Sequence, residues 1–279
     1  MPYAIFHVAH GRLLRFRNFA WALMWKYGFA SVTGASHLKS SAPCQDASRA
    51  EVVLDAGGFE VLIAVASDGA GSAARAQIGS SLACDLFIDE IKSHIERGDT
   101  RALLSDNFIS DWLVKFRGIA TGWSGPDSGK IHDFACTLLA AVIWNDRAIY
   151  FQIGDGAIVE SQRDDPDSYA VVCWPQQGEY ANMTNFLTDA DAAQKVIREA
   201  RSGAIDEVAI FTDGIQRLAL DYRERSAHSP FFAPLFGWLR PRPGGASREL
   251  SDSLAVYLNS EKINSRTDDD KTLILATRR

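Results

Sequence analysis

Four largely apolar runs of the chain meet an acid at one end: LIAVAS before Asp68, IYFQIG before Asp155, VAIFT before Asp213, and TLILA shortly after Asp270. Runs of this length with β-branched and aromatic residues predict buried strands. FACTLLAAVIW and RAIYFQIGDG flank Asn-Asp, a hairpin signal, and GAIVESQRD with YAVVCWPQQ reads as a further strand pair. GFASVTGAS supplies another strand near the N-terminus. Helical spacing appears in Ile78, Leu82, Leu86 and Ile95, between Ser72 and Arg97, and again in Leu104, Phe108, Trp112 and Phe116. Residues 187–201 give a weaker helical pattern. SRELSDSLAVYLNSEK predicts a helix capped by Ser247, with Glu249 in its first turn. The stretch around ERSAHSPFFAPLFGWLRPRPGGAS is rich in Pro, Gly and aromatics and is expected to be an irregular excursion packed by its Phe and Trp residues. Helices in adjacent pairs and strands in hairpins specify an α+β fold in layers, not a doubly wound parallel sheet.

At 279 residues the chain can bury a large core, and a single domain over 1–279 is expected, with residues 1–25 as an N-terminal extension and 222–247 as the irregular insertion. The 29 basic and 35 acidic residues leave a net charge of -6, which argues against nucleic-acid and anionic-membrane partners. Cys44, Cys84, Cys136 and Cys173 form no CxxC pair, so neither a thiolate zinc site nor a disulfide scaffold is expected. Arg12, Arg15 and Arg17 precede an apolar stretch in the manner of a signal peptide, but Lys26 interrupts the run and no clean cleavage site follows. With no apolar run of about 18 residues, a cytoplasmic protein without a membrane span is expected.

Asp68, Asp155 and Asp213 are each followed by Gly, and an Asp-Gly dipeptide can be a turn and nothing more. Four acids at strand ends carry a different implication. Sheet ends lying side by side would gather the carboxylates, each resisting ionisation beside the others, and a divalent cation would remove that cost. With many acids and only six histidines, the chain suits the oxygen-loving ions Mg²⁺ and Mn²⁺. Two such ions sharing a carboxylate can lower the pKa of a water and clamp a phosphoryl group, which makes this a hydrolase hypothesis. No G-x-S-x-G elbow and no phosphate-cradling Gly-rich loop with its Lys is present, so a serine nucleophile and a nucleotide site are disfavoured.

The blocks GASHLKSSAPCQDAS at 34–48, ASDGAGS at 66–72, CTLLAAVI leading into FQIGDG, FTDG at 211–214 and DDKTLILA at 269–276 also resemble, in that order, the PP2C (PPM) family of metal-dependent serine/threonine phosphatases, in its divergent bacterial branch. The resemblance implies a four-layer α-β-β-α sandwich with two central antiparallel sheets and metals in a cleft at one end. It implies two Mn²⁺ or Mg²⁺ ions, with Asp68 bridging, Gly69 lending its backbone carbonyl to one ion, Asp213 and Asp270 holding the other, and Asp46 at the metal site as the second acid of the family's Glu-Asp pair. Gln45 stands where the family has a Glu, which implies a weaker second ion. Asp155 matches a ligand of a third ion, but Arg217 replaces the acid that would accompany it and opposes that ion. The family's DGHG motif reads DGAG here, so Ala70 removes a candidate proton donor for the leaving alcohol. His37, with Lys39 after it, takes the place of the family's phosphate-binding Arg, and Arg75 is a further candidate.

These expectations amount to metal-dependent hydrolysis of phosphoserine and phosphothreonine in proteins, with a serine/threonine kinase or its targets as partner. The alternatives are a weak or inactive phosphoprotein-binding module, favoured by Gln45, Ala70 and Arg217, and a hydrolase of small phosphomonoesters.

Overall fold

The computed structural model describes residues 24–122, 130–166, 168–176 and 184–279, so residues 1–23 of the expected N-terminal extension lie outside the described residues. In chain order the elements are β1 (Lys26–Val32), α1 (Ala35–Ser40), β2 (Ala47–Leu54), β3 (Glu60–Ser67), α2 (Ala76–Glu96), α3 (Asp106–Gly122), β4 (Leu138–Ile143), β5 (Arg147–Ile153), β6 (Ala157–Gln162), β7 (Ala170–Cys173), α4 (Ala192–Lys195), β8 (Ile197–Ser202), β9 (Ile205–Phe211), α5 (Gln216–Ala219), β10 (Leu220–Asp221), β11 (Ser226–Ala227), α6 (Ser229–Leu239), β12 (Gly245–Ala246), α7 (Arg248–Leu258), α8 (Glu261–Asn264) and β13 (Lys271–Thr277). One sheet has the order β2-β3-β4-β5-β8 and the other β12-β1-β13-β9-β6-β7. Both are antiparallel apart from the short parallel pairing of β12 with β1.

The unbroken apolar runs have a geometric cause. Side chains alternate across a strand, and the central strands are buried on both faces. In β3, Val61, Ile63 and Val65 pack under α2 and α3. Leu62, Ala64 and Ala66 face the other sheet together with Ile158, Val208, Ile210 and Ile274. In β9 and β13, Ala209, Phe211, Leu273 and Leu275 turn outward to meet α6 and α7. The result is the α-β-β-α sandwich. Trp25, at the end of the expected extension, is 1% exposed and sits in the layer between the sheets.

Two local expectations need correction. The stretch 222–247 contains α6, an 11-residue helix that buries Phe231, Phe232, Phe236 and Leu239. Pro230 lies in its first turn, where a missing N–H costs nothing, so a residue read as a loop signal starts the helix instead. Residues 187–201 are not one helix: only Ala192–Lys195 is helical, and Ile197–Ser202 forms the edge strand β8 against β5. Its sequence IREARS is charged, as an edge strand must be to discourage further pairing, and so carries no apolar alternation. Ser247 caps α7, its Oγ accepting from the Leu250 N–H at 3.3 Å. No helix among the described residues is long and apolar enough to cross a membrane.

The register puts the acids together. Ala47 at the start of β2 pairs with Ser67 at the end of β3, and Phe211 at the end of β9 lies opposite Ala157 of β6 and Leu273 of β13. Asp46, Asp68, Asp155, Asp213 and the Asp268–Asp270 run therefore all fall at one end of the sandwich.

Candidate metal centre

Asp68 leaves β3 with its backbone held on both sides by the residue just ahead of the neighbouring strand β4. Its N–H donates to Thr137 Oγ1 at 2.9 Å, its carbonyl accepts from Thr137 N–H at 2.8 Å, and the preceding Ser67 Oγ donates to the Thr137 carbonyl at 2.6 Å. The Asp68 carboxyl meets Asp155, from the β5–β6 connection, and Asp213, one residue beyond Thr212 at the end of β9. One carboxylate oxygen from each of the three lies within 4.8 Å of the others.

The Asp-Gly dipeptides here are not positive-φ turns, since Gly69, Gly156 and Gly214 are absent from the residues in that conformation. They mark close backbone approach. A Cβ on Gly214 would lie 1.9 Å from the Asp270 carbonyl oxygen, and one on Gly69 would lie 2.7 Å from the Gln45 carbonyl oxygen. Gly69 forms an isolated antiparallel bridge with Cys136. The bonds of that bridge run from Ala70 N–H to the Ala135 carbonyl and from Thr137 N–H to the Asp68 carbonyl. The carbonyl of Gly69 itself therefore takes no part in the ladder and is available to a cation.

Asp46 is 7% exposed and spans the two sheets. It precedes β2 of one sheet, while its Oδ2 accepts from Thr212 Oγ1 and Thr272 Oγ1 of the other, both at 2.8 Å. Thr272 Oγ1 is also 2.7 Å from Ser31 Oγ, which is 2.9 Å from Ser48 Oγ, extending a buried hydroxyl chain. The expectations from sequence did not include Thr212 and Thr272. Their position directly before or shortly after a strand-end acid was the available signal.

Asp270 is placed differently from its expected role. Its Oδ1 accepts from Gly34 N–H at 2.6 Å, and its Oδ2 accepts from Gln45 N–H at 2.6 Å and lies 2.9 Å from His37 Nδ1. It is 2% exposed, and it and Asp269 both stand outside the Asp68–Asp155–Asp213 group. The carboxylate of the run that bears on that group is Asp269, whose charge helps to push the carboxyls of both Asp155 and Asp213 up. Asp269 also lines, with Asp213, Arg217, Tyr222, Arg266 and Asp268, a cavity of about 360 Å³.

Burial is the first cause of the carboxyls' resistance to ionisation, and mutual repulsion adds to it. Asp46 and Asp213 are each pushed up to about 7, Asp155 is raised, and Asp68, beside Asp46 and Asp213, is raised well above the ordinary range. Hydrogen bonds from Thr212 and Thr272 pull Asp46 partly back. Asp155 Oδ1 and Gln45 Oε1 are buried without a hydrogen-bond partner. An all-oxygen donor set with orphaned acceptors and carboxyls that cannot all ionise together fits a hard divalent cation.

The candidate phosphate cations separate. His37 is oriented by Asp270, with its side chain 17% exposed. Lys39 is exposed on α1, and Arg75 lies over the Phe134 ring at 5.4 Å from its centroid. Arg217 borders the cavity that holds Asp213 and Asp269.

Residues 33–257 match the family described as Protein phosphatase 2C. The chain belongs to the protein phosphatase 2C family. This phosphatase-family chain is 34% identical over 254 residues to Serine/threonine-protein phosphatase 3 of Escherichia coli (strain K12), covering 91% of the chain and 98% of that protein. Among solved structures, its 2C fold resembles that of PppA, described as a regulatory component of T6SS in Pseudomonas aeruginosa (TM-score 0.56, 16% identity, 91% and 97% of the two chains). It also resembles the S. agalactiae serine/threonine phosphatase (TM-score 0.55, 13% identity, 91% and 99%).

Proposed function

We propose that the chain hydrolyses phosphoserine and phosphothreonine in proteins at a centre for two Mn²⁺ or Mg²⁺ ions. The observation that carries the reading is the convergence of Asp68, Asp155 and Asp213 within 4.8 Å at the end of the sandwich. When bound, such ions supply positive charge for the phosphoryl group and lower the pKa of an attacking water. Asp68 would be the shared ligand, Asp213, Asp155 and Asp269 would complete the carboxylate set, and the Gly69 carbonyl would add a neutral donor. Asp269 takes the ligand role that the family resemblance gave to Asp270. Asp270 instead holds Gly34, His37 and Gln45 in place, and Asp46 is fixed by its two threonines next to Asp68. Gln45 Oε1, buried without a partner, would accept a hydrogen bond from a water held by the ion. His37, held through Nδ1, would donate from its other ring nitrogen to a phosphoryl oxygen when both ring nitrogens carry a proton.

Ala70 offers no proton, so a poor alkoxide leaving group gains no help from this position, whereas an aryl phosphate needs none. The substrates are phosphoproteins, and a serine/threonine kinase is the opposing activity. The four free cysteines suit a reducing, cytoplasmic setting.

The test is steady-state turnover of p-nitrophenyl phosphate and of a phosphothreonine peptide in Mn²⁺, Mg²⁺ or EDTA, for wild type and Asp68→Asn. Turnover that EDTA abolishes and Asp68→Asn lowers at least about a hundredfold supports the reading. Turnover indifferent to EDTA or to the substitution refutes it, and peptide binding without turnover shifts the assignment to a binding module.

A further inference from the structure

Beside the cavity at the acids runs a larger groove of about 670 Å³, formed by α5, β10, α6 and α8, and the two spaces share Arg217, Leu218, Tyr222 and Arg266 as walls. A chain whose phosphorylated residue reached Asp213 and Asp269 would continue into this groove. Its floor is apolar, with Phe231, Pro234 and Leu235 of α6 and Tyr257 of α7. Its charges are lopsided. Arg217, Lys262 and Arg266 are all exposed, and among the described residues none of the three forms an ion pair or a side-chain hydrogen bond. Other surface cations are paired, as in Arg49–Asp85, Lys92–Glu51, Lys115–Glu90 and Lys195–Asp191, while exposed Lys39, Arg97, Arg101 and Lys130 stand singly among the described residues; what sets the groove apart is that three such cations share one wall.

Among the described residues the only carboxylate lining the groove is Asp221, and its Oδ1 is already taken by the Arg223 and Glu224 N–H groups at 2.9 and 3.1 Å. His228, Tyr222 and Tyr257 also line the groove. In a chain of net charge -6, three unpaired cations on one wall that leads away from a cluster of acids form a complementary surface for negative charge. The shared wall sets the distance of this charge from the reacting phosphate within one short peptide.

We infer that this groove binds an acidic segment of the phosphoprotein that flanks the phosphorylated residue, Glu or Asp side chains facing Arg217, Lys262 and Arg266 and an apolar side chain lying on α6. The inference rests on the phosphatase reading and adds the sequence preference of the substrate to it.

The experiment compares kcat/KM for three phosphothreonine peptides identical except for flanking Glu, Ala or Lys residues, using wild type and the charge reversal Lys262→Glu/Arg266→Glu. Wild type should prefer the Glu-flanked over the Lys-flanked peptide by about tenfold at low salt, less at high salt, and the reversal should erase or invert that ratio. A wild-type ratio within about twofold, or one that the variant leaves unchanged, overturns the proposal. The ratio is internal to each preparation, so a partly unfolded variant does not obscure it, and Lys262→Gln/Arg266→Gln provides a milder second case. Should wild type turn over no peptide, the phosphatase reading fails. The groove is then judged by fluorescence anisotropy of the labelled Glu-flanked peptide: binding weakened about tenfold by the reversal supports it, and equal binding overturns it.

Discussion

Exchanging Asp270 and Asp269 separately for asparagine distinguishes a carboxylate that holds the fold from one that holds a metal. In Asp270→Asn the side chain keeps one oxygen, but its amide nitrogen must face one of the donors now satisfied, Gly34 N–H, Gln45 N–H or His37 Nδ1, at 2.6, 2.6 and 2.9 Å. A hydrogen bond to a charged acceptor contributes about 1.5–3 kcal/mol and a stranded buried donor costs about 1–3 kcal/mol, so at a residue 2% exposed the loss should be about 3–5 kcal/mol. In a chain of this size that lowers Tm by about 10 °C. Asp269→Asn keeps its acceptor for the Asp270 N–H, now at 2.8 Å, and removes a charge that presses on Asp155 and Asp213. The metal-free stability of Asp269→Asn should therefore stay within about 0.5 kcal/mol of wild type. Its Mn²⁺ affinity by titration calorimetry should fall at least about tenfold. Thermal unfolding in EDTA and calorimetry in Mn²⁺ on both variants decide the matter. An unchanged Tm for Asp270→Asn with lost Mn²⁺ binding, alongside normal binding in Asp269→Asn, would refute the reasoning and return the ligand role to Asp270.

Three further outcomes follow from the same geometry. In EDTA, the folded protein holds protons on Asp46 and Asp213 up to about 7 that the unfolded chain releases near the ordinary 3.8; more protons on the folded form mean that stability from these groups falls as pH rises across that window, and Mn²⁺ should flatten the slope seen in unfolding scans. Thr272→Val removes a buried donor to Asp46 with little change of volume, and urea unfolding should show a loss of about 1–3 kcal/mol, whereas a neutral result would mean that the Asp46 oxygen finds another partner. Gly214→Ala puts a Cβ 1.9 Å from the Asp270 carbonyl oxygen and should cost about 3 kcal/mol or more in the same measurement; tolerance of the alanine would show that the two backbone segments part easily.

The strand-end acids were legible because the strands are buried on both faces, so each apolar run ended sharply at the rim where Asp68, Asp155 and Asp213 stand. The proposed exchange of Asp269 for Asp270 as ligand had no signal in the sequence, since three consecutive acids offer the same chemistry and only their direction differs. Counting by two back from Ile274 and Thr272, which face the other sheet and Asp46, brings Asp270 to that same inward side. Direction, more than identity, was the missing information. β8 was lost because its charged residues serve an edge, and α6 because proline and glycine content masked a helix whose apolar face needs β9 and β13 beneath it. The Thr212 and Thr272 hydroxyls act across sheets that are distant in sequence, which no local pattern reports.

The way Asp46 bridges the sheets has a mechanical consequence. Asp68 rides on one sheet and Asp213 on the other, so the spacing of the carboxylates is a readout of how the two slabs slide past each other. Residues in the dry layer between them, such as Leu62, Ile158 and Ile210, lie far from any phosphate yet set that offset. The Thr212–Asp46–Thr272 contact works as a locating pin at the rim, and the interior of the sandwich becomes the ruler against which the active end is aligned.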